Sequence, residues 1–187
     1  MKEKVKREAT RADFFPTYSF ADTSPYGRIP DDIQSPLCKV HQQVGMTAIE
    51  IIYSRPSLWE RELYGELLIE GKEWRTGANK ATTIHFNDPV RINGQKLKHG
   101  IYALYTIPNR NLWEVIFNAD IFRNPCEGRK PKADVLRLEI PVFPLDCPVE
   151  TFTIFISDIC KDNTSASIDL MWETTLIKMF VEVPKKW

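Results

Sequence analysis

The stretch "TFTIFISDICKDNTSASIDLMW", residues 151–172, decides the fold. Phe152, Ile154 and Ile156 alternate with Thr151, Thr153 and Phe155. Further on, Ile168, Leu170 and Trp172 oppose Ser167 and Asp169. A period of two is the signature of a strand with one face in a core, because successive side chains of a strand point to opposite faces. Between the two runs, "DNTS" at 162–165 has the short polar residues of a tight turn.

Working outward, the same period recurs. In "TAIEIIYS", Ile49, Ile51 and Tyr53 share one face and Ala48, Glu50 and Ile52 the other. In "ATTIHF", Thr82, Ile84 and Phe86 oppose Thr83 and His85. "PVRINGQKL" holds Asn93-Gly94, the pair suited to a two-residue hairpin turn that needs positive φ twice. "GIYALYTI", "LWEVIFN", "DVLRLEI", "VETFTIFIS", "SASIDLMWE" and "LIKMFVEV" supply further strands. Eight or nine short strands with turns between them predict an all-β protein, an antiparallel β-sandwich or flattened barrel. One segment breaks the period. "SLWERELYGELLIEG" at 57–71 has good helix formers interrupted by Gly65, and predicts a short helix or an irregular loop. Long excursions of this kind between strands often carry function.

The chain has 187 residues, enough for one domain with an arm, and 43% of them are hydrophobic, enough to fill a sizeable core. Residues 1–35 lack a sustained period, and "SFADTSPYGRIPDDIQSP" is rich in Pro, Asp, Ser and Gly, so an N-terminal arm or linker is expected there and a single β-sandwich domain over 36–187. The 25 basic residues balance the 25 acidic ones, which disfavours nucleic acid as a partner, since phosphate neutralisation demands a basic excess or stripe. No apolar run approaches the roughly 20 residues that cross a bilayer, so no membrane span is expected. The basic N-terminus lacks the apolar stretch of a secretory signal, which reads as a cytoplasmic chain as written. Cys38, Cys126, Cys147 and Cys160 form no C-x-x-C pair and are too sparse for a disulfide scaffold, so free thiols are expected. Exposed edge strands would allow a homodimer.

Three stretches carry a family resemblance: "QVGMTAIEIIYSRPS", "EWRTGANKATTIHF" and "LKHGIYALYTIP" followed by "WEVIFN". Together they resemble the bacterial family of uncharacterised proteins known as domain of unknown function 2911, over about residues 35–184. Ser54-Arg55-Pro56 and the run Trp74-Arg75-Thr76-Gly77-Ala78-Asn79 are the specific parts of the match. The resemblance implies a β-rich single domain and, for many members, an exported protein; this chain departs there, because it shows no signal segment. The family name carries no activity.

The candidate site residues cluster around the excursion. Trp74 could stack on a sugar ring or a base, Arg75 could fork onto a carboxylate or phosphate, Thr76 and Asn79 could hydrogen-bond a ligand, and Arg55 could add a second cation. Equally, Arg75 could be a structural clamp paired with Glu50 or Glu73, and Asn79 a turn cap. Ser54 and Ser57 lack the G-x-S-x-G context of a nucleophile elbow. His41, His85 and His99 form no H-x-H or H-x-x-x-H, so no metal motif and no cofactor are expected. Two functions follow: a non-catalytic domain that binds a small polar or anionic ligand or a protein partner through Arg55, Trp74, Arg75, Thr76 and Asn79, or a hydrolase-like enzyme using His85 with Glu50 or Glu73 and Arg75 as electrophilic clamp.

Overall fold

A computed structural model of the chain describes residues 35–122 and 128–185. They form nine strands: β1 Leu37–Val44, β2 Thr47–Ser54, β3 Thr82–Phe86, β4 Val90–Ile92, β5 Gln95–Leu97, β6 Gly100–Ile107, β7 Leu112–Asn118, β8 Asp134–Ser157 and β9 Ser165–Glu182. Every pairing is antiparallel, in the order β1-β2-β3-β6-β7-β8-β9-β4-β5. The expected all-β class is what the chain adopts. The period of two does the work: Ile49, Ile51, Tyr53, Ile84, Phe86, Leu104, Val115 and Phe117 are all buried on the inner face. Asn93 and Gly94 turn the β4–β5 hairpin with φ of 46° and 77°. The expected arm over 1–35 and Cys126 lie outside the described residues, apart from Ser35, while Cys38, Cys147 and Cys160 are free thiols.

β8 and β9 are longer than their sequence patterns suggest. Pro141, Pro144 and Pro148 separate "DVLRLEI" from "VETFTIFIS", yet one strand spans both. It tolerates the prolines, which cannot donate to a ladder, by shifting register between Pro144 and Val149 and again between Val149 and Thr153. β9 doubles back. The Val183 amide donates to the Thr164 carbonyl at 2.9 Å, and Lys178 Nζ stands 3.6 Å from Asp169 Oδ2. In a straight strand nine residues would hold that pair about 30 Å apart. The reversal falls at Glu173, whose φ is 51°.

β8 follows the reversal. Its start pairs with β7, Val142 pairs with Ile177, and Ser157 pairs with Ser167. Its distal half then meets the chain leaving β2: the Phe152 amide donates to the Pro56 carbonyl at 2.8 Å and the Leu58 amide to the Glu150 carbonyl at 3.0 Å. The continuous sheet thereby curls over itself and closes on one apolar core that runs from Val44 to Val183.

At 57–71 the irregular loop wins over the helix. The one turn at Leu63–Leu67 breaks at Tyr64 (ψ 123°) and Gly65 (φ 109°). Leu63 and Leu68, each 1% exposed, anchor the loop in the core. Burying two leucines outweighs a helix propensity worth only tenths of a kcal/mol per residue.

Candidate functional site

The corner "WRTGAN" begins where β3 runs out. β3 covers β6 only as far as Leu104, opposite Thr82. Beyond it, Trp74 takes over the edge of β6, exchanging two backbone hydrogen bonds with Thr106 at 2.7 and 2.8 Å. The alternation of a strand then turns Trp74 inward. Its ring stacks on Trp172 at 5.6 Å and meets Phe152 edge-on at 5.0 Å and Trp113 at 6.0 Å. Thr76 is fully buried, with its hydroxyl 3.3 Å from that of Thr106 and its carbonyl accepting from the Thr82 hydroxyl at 2.5 Å. Its φ is 55°, a region that a β-branched residue enters only under constraint. Gly77 has φ of 154°, and a Cβ there would come within 3.0 Å of the Ser54 carbonyl oxygen. Asn79, with φ of 60°, is exposed, and its amide reaches Ser54 Oγ and the Ser35 carbonyl at 3.4 Å each.

The two arginines differ. Arg55 donates Nε to the Phe152 carbonyl at 3.1 Å and Nη2 to Thr153 Oγ1 at 2.7 Å, tying β2 to β8. Arg75 is half-buried and donates one bond, from Nη1 to the Asn79 carbonyl at 2.5 Å. Neither acid foreseen as its clamp holds it. Glu50 pairs with Lys39 at 2.6 Å and Glu73 with Arg129 at 2.9 Å. Among the described residues no carboxylate forms an ion pair with Arg75. The five candidate binding residues therefore separate: Trp74 and Thr76 serve the core, Arg55 clamps two strands, and Arg75 and Asn79 stay toward solvent.

His85 lies on the outer face, half-buried, opposite Glu50, which in turn stands opposite His41. On β6 its neighbour is Ile101. The Trp74–Thr106 bridge sets Arg75 beside Tyr105, four residues along β6, or about 13 Å from the histidine row. No group of His, Cys, Asp and Glu among the described residues has the geometry to hold a metal ion.

An ionic network escaped the sequence patterns. Glu73 Oε1 accepts from the Arg129 amide at 2.8 Å and Oε2 from its Nε at 2.9 Å, while Arg129 Nη1 pairs with Asp134. Asp134 also accepts from Asn118 Nδ2 at 2.7 Å and Arg137 Nε at 3.2 Å, and Arg137 reaches Glu114 at 2.8 Å. Burial pulls the Arg129 pKa down, but hydrogen bonds to Asp134 and Glu73 outweigh it and hold the guanidinium above its ordinary value. The network pins the β7–β8 connection, where Ile121 packs on Ala103, Tyr105 and Ile116 of the outer face. Arg129, Asp134 and Arg137 lie close in sequence, but Glu73, Glu114 and Asn118 come from other stretches, so local spacing could not reveal the whole network.

Compared with known proteins, the chain matches the model of the family described as "Protein of unknown function (DUF2911)" over residues 35–181. No curated protein and no solved structure matches it. No helix among the described residues is long and apolar enough to cross a membrane.

Proposed function

The chain belongs to this family of unknown function, and from that premise we propose that the domain is a binding module that takes a small anionic ligand at Arg75, with Asn79 beside it. One observation carries this. Arg75 is a half-buried guanidinium with a single backbone bond and no ion pair to a carboxylate among the described residues. A guanidinium offers five N–H donors in a fork that matches a carboxylate or phosphate, and most of them are uncommitted here. The strained loop adds support. Thr76, Gly77 and Asn79 all carry positive φ within four residues, and such strain persists where surrounding structure enforces it, commonly at ligand sites.

A hydrolase has weaker support. His85 and Glu50 are neighbours by register, but Arg75 sits about 13 Å along the sheet and Glu73 is held by Arg129.

The experiment is thermal unfolding in phosphate, sulfate, citrate and sugar phosphates, with wild type and Arg75→Gln side by side. A ligand at about 100 times its Kd stabilises by about 2.7 kcal/mol. At roughly 2–4 °C per kcal/mol for a chain of this size, the midpoint should rise by about 5–10 °C in the wild type and not in the variant. No rise with any anion, or an equal rise in both proteins, would overturn the proposal.

A further inference from the structure

A groove lies at the β4–β5 end of the strand order. It runs between the β4–β5 hairpin and the end of β9, with a volume of about 530 Å³. Its floor is apolar: Val90, Leu97 and Val183 are 4%, 3% and 7% exposed. Its rim is cationic. Arg91, Lys96 and Lys98 all line it and all are exposed.

Register makes the rim unusual. Arg91 stands directly between Lys96 on β5 and Glu182 on β9. Like charges directly opposite on neighbouring strands are destabilising. Glu182, the groove's single acid, could neutralise one of them, yet among the described residues none of the three cations forms an ion pair. Arg91 instead donates Nη1 to the Gly94 carbonyl at 2.8 Å, which fixes its stem along the hairpin. The Lys98 backbone is fixed as well, its carbonyl accepting from the Tyr102 hydroxyl at 2.8 Å. An edge lysine alone guards a sheet against pairing with another chain. Three cations without ion-pair partners around an apolar trough do more: they set charge beside apolar surface, in a volume within the range of small-molecule sites.

We propose that this groove binds an amphipathic anion, with its apolar tail on Val90, Leu97 and Val183 and its acidic head against Arg91, Lys96 and Lys98. The site is separate from the one at Arg75 and stands or falls independently of it. The head is a carboxylate or a phosphate, which share the chemistry that these cations recognise.

The test is a methyl and amide NMR titration of the full chain with octanoate, octyl phosphate, octan-1-ol and acetate. Saturable shifts at Val90, Leu97 and Val183 are expected with octanoate, octyl phosphate or both, and the tighter of the two identifies the head. Octan-1-ol and acetate should bind more weakly, since each lacks one half of the recognition. In the double variant Lys96→Gln/Lys98→Gln the affinity should fall about three- to tenfold, as two exposed charge contacts warrant, with Arg75-linked anion effects unchanged. The affinity should also fall with added salt. Absence of saturation, octan-1-ol binding as tightly as octanoate, or unchanged affinity in the double variant would overturn the proposal. Both lysines are exposed, so the double variant should fold; a Val90→Thr variant, which spoils the floor and spares the rim, provides a second reading on the tail.

Discussion

Glu73 and Arg129 form a two-point lock on the loop that also carries Arg75: the carboxylate accepts from both the backbone amide and Nε of Arg129, whose side chain is 7% exposed. Only Trp74 separates Glu73 from Arg75, yet the acid serves the β7–β8 connection and leaves the nearer arginine alone. The carboxylate that could have neutralised Arg75 is thereby committed to Arg129, and Arg75 is left for the proposed ligand.

Arg129→Met should consequently be costly. Removing one partner from a buried ionic cluster leaves the others uncompensated, at about 3–5 kcal/mol, and the lower end applies because Glu73 is 30% exposed. The midpoint should drop by roughly 6–12 °C. Arg75→Gln should move it by about 2 °C or less. Thermal unfolding of both variants decides: equal losses would make Arg75 part of the fold and remove the ground for a ligand there.

The sequence shows the sheet more clearly than the site. Ile49, Ile84 and Phe117 sit on the inner face because a strand's period of two is a local property, legible in any five residues. "LCKVHQQV" carries only a faint strand pattern, since its inner face has Cys38 and Gln42 beside only Val40 and Val44. The reversal of β9 at Glu173 was equally hidden, because "LMWETTLIK" contains no Gly, Pro, Asn or Asp to mark a turn. At the site, the residue types of "WRTGAN" were visible but their roles were not. Whether Trp74 stacks on a ligand or on Trp172 depends on which strand edge it docks against, and only the pairing with Thr106 decides that.

Trp74→Ala should unfold the corner. The indole touches three other aromatic rings, so truncation opens a cavity among large side chains. Such substitutions cost about 3–5 kcal/mol. Trp74→Phe should lose much less, because an aromatic ring remains between Phe152 and Trp172. Denaturant midpoints for the two variants measure this; a small loss for the alanine would mean that the ring contacts contribute little.

Gly77→Ala tests the backbone of the same corner without touching a side chain. The new Cβ would lie 3.0 Å from the Ser54 carbonyl oxygen and 3.0 Å from Thr82 Oγ1, with φ at 154°. Both neighbours belong to adjoining strands and can move little. A loss of about 1–3 kcal/mol, typical of a residue forced into a sparse backbone region, is expected in chemical denaturation. A variant as stable as the wild type would show that the loop relaxes freely, and would weaken the case for an enforced, strained site.

Tyr53 links stability to high pH. Burial raises its phenol well above the ordinary value, and its oxygen accepts from the Ile154 amide at 2.9 Å. An unfolded tyrosine ionises near pH 10. Between that pH and the raised folded value, the unfolded state releases a proton that the folded state retains, so stability is present below about pH 10 and falls as pH climbs. Tyr53→Phe should cost about 1–3 kcal/mol at neutral pH, since a buried amide loses its partner. The gap between wild type and variant should narrow between pH 10 and 11. A constant gap across that range, read from urea midpoints, would rule out the phenol as the titrating group.

Asp162 makes the opposite link at low pH. The Cys160 thiol at 2.8 Å and the Thr164 hydroxyl at 2.9 Å both donate to its Oδ1 and hold its pKa down to about 2. Lys185 adds attraction from 3.6 Å. A carboxyl whose folded value is depressed stabilises the fold above its unfolded value of about 4, and that contribution disappears as pH falls toward about 2. Asp162→Asn removes the effect at the outset. The melting temperatures of wild type and variant should therefore differ at pH 5 and converge by pH 2. Cys160 tests the origin of the shift, because Cys160→Ala deletes its largest cause and should move convergence to a higher pH. Identical acid profiles for all three proteins would mean that the turn at 160–164 orders its carboxylate without drawing stability from it.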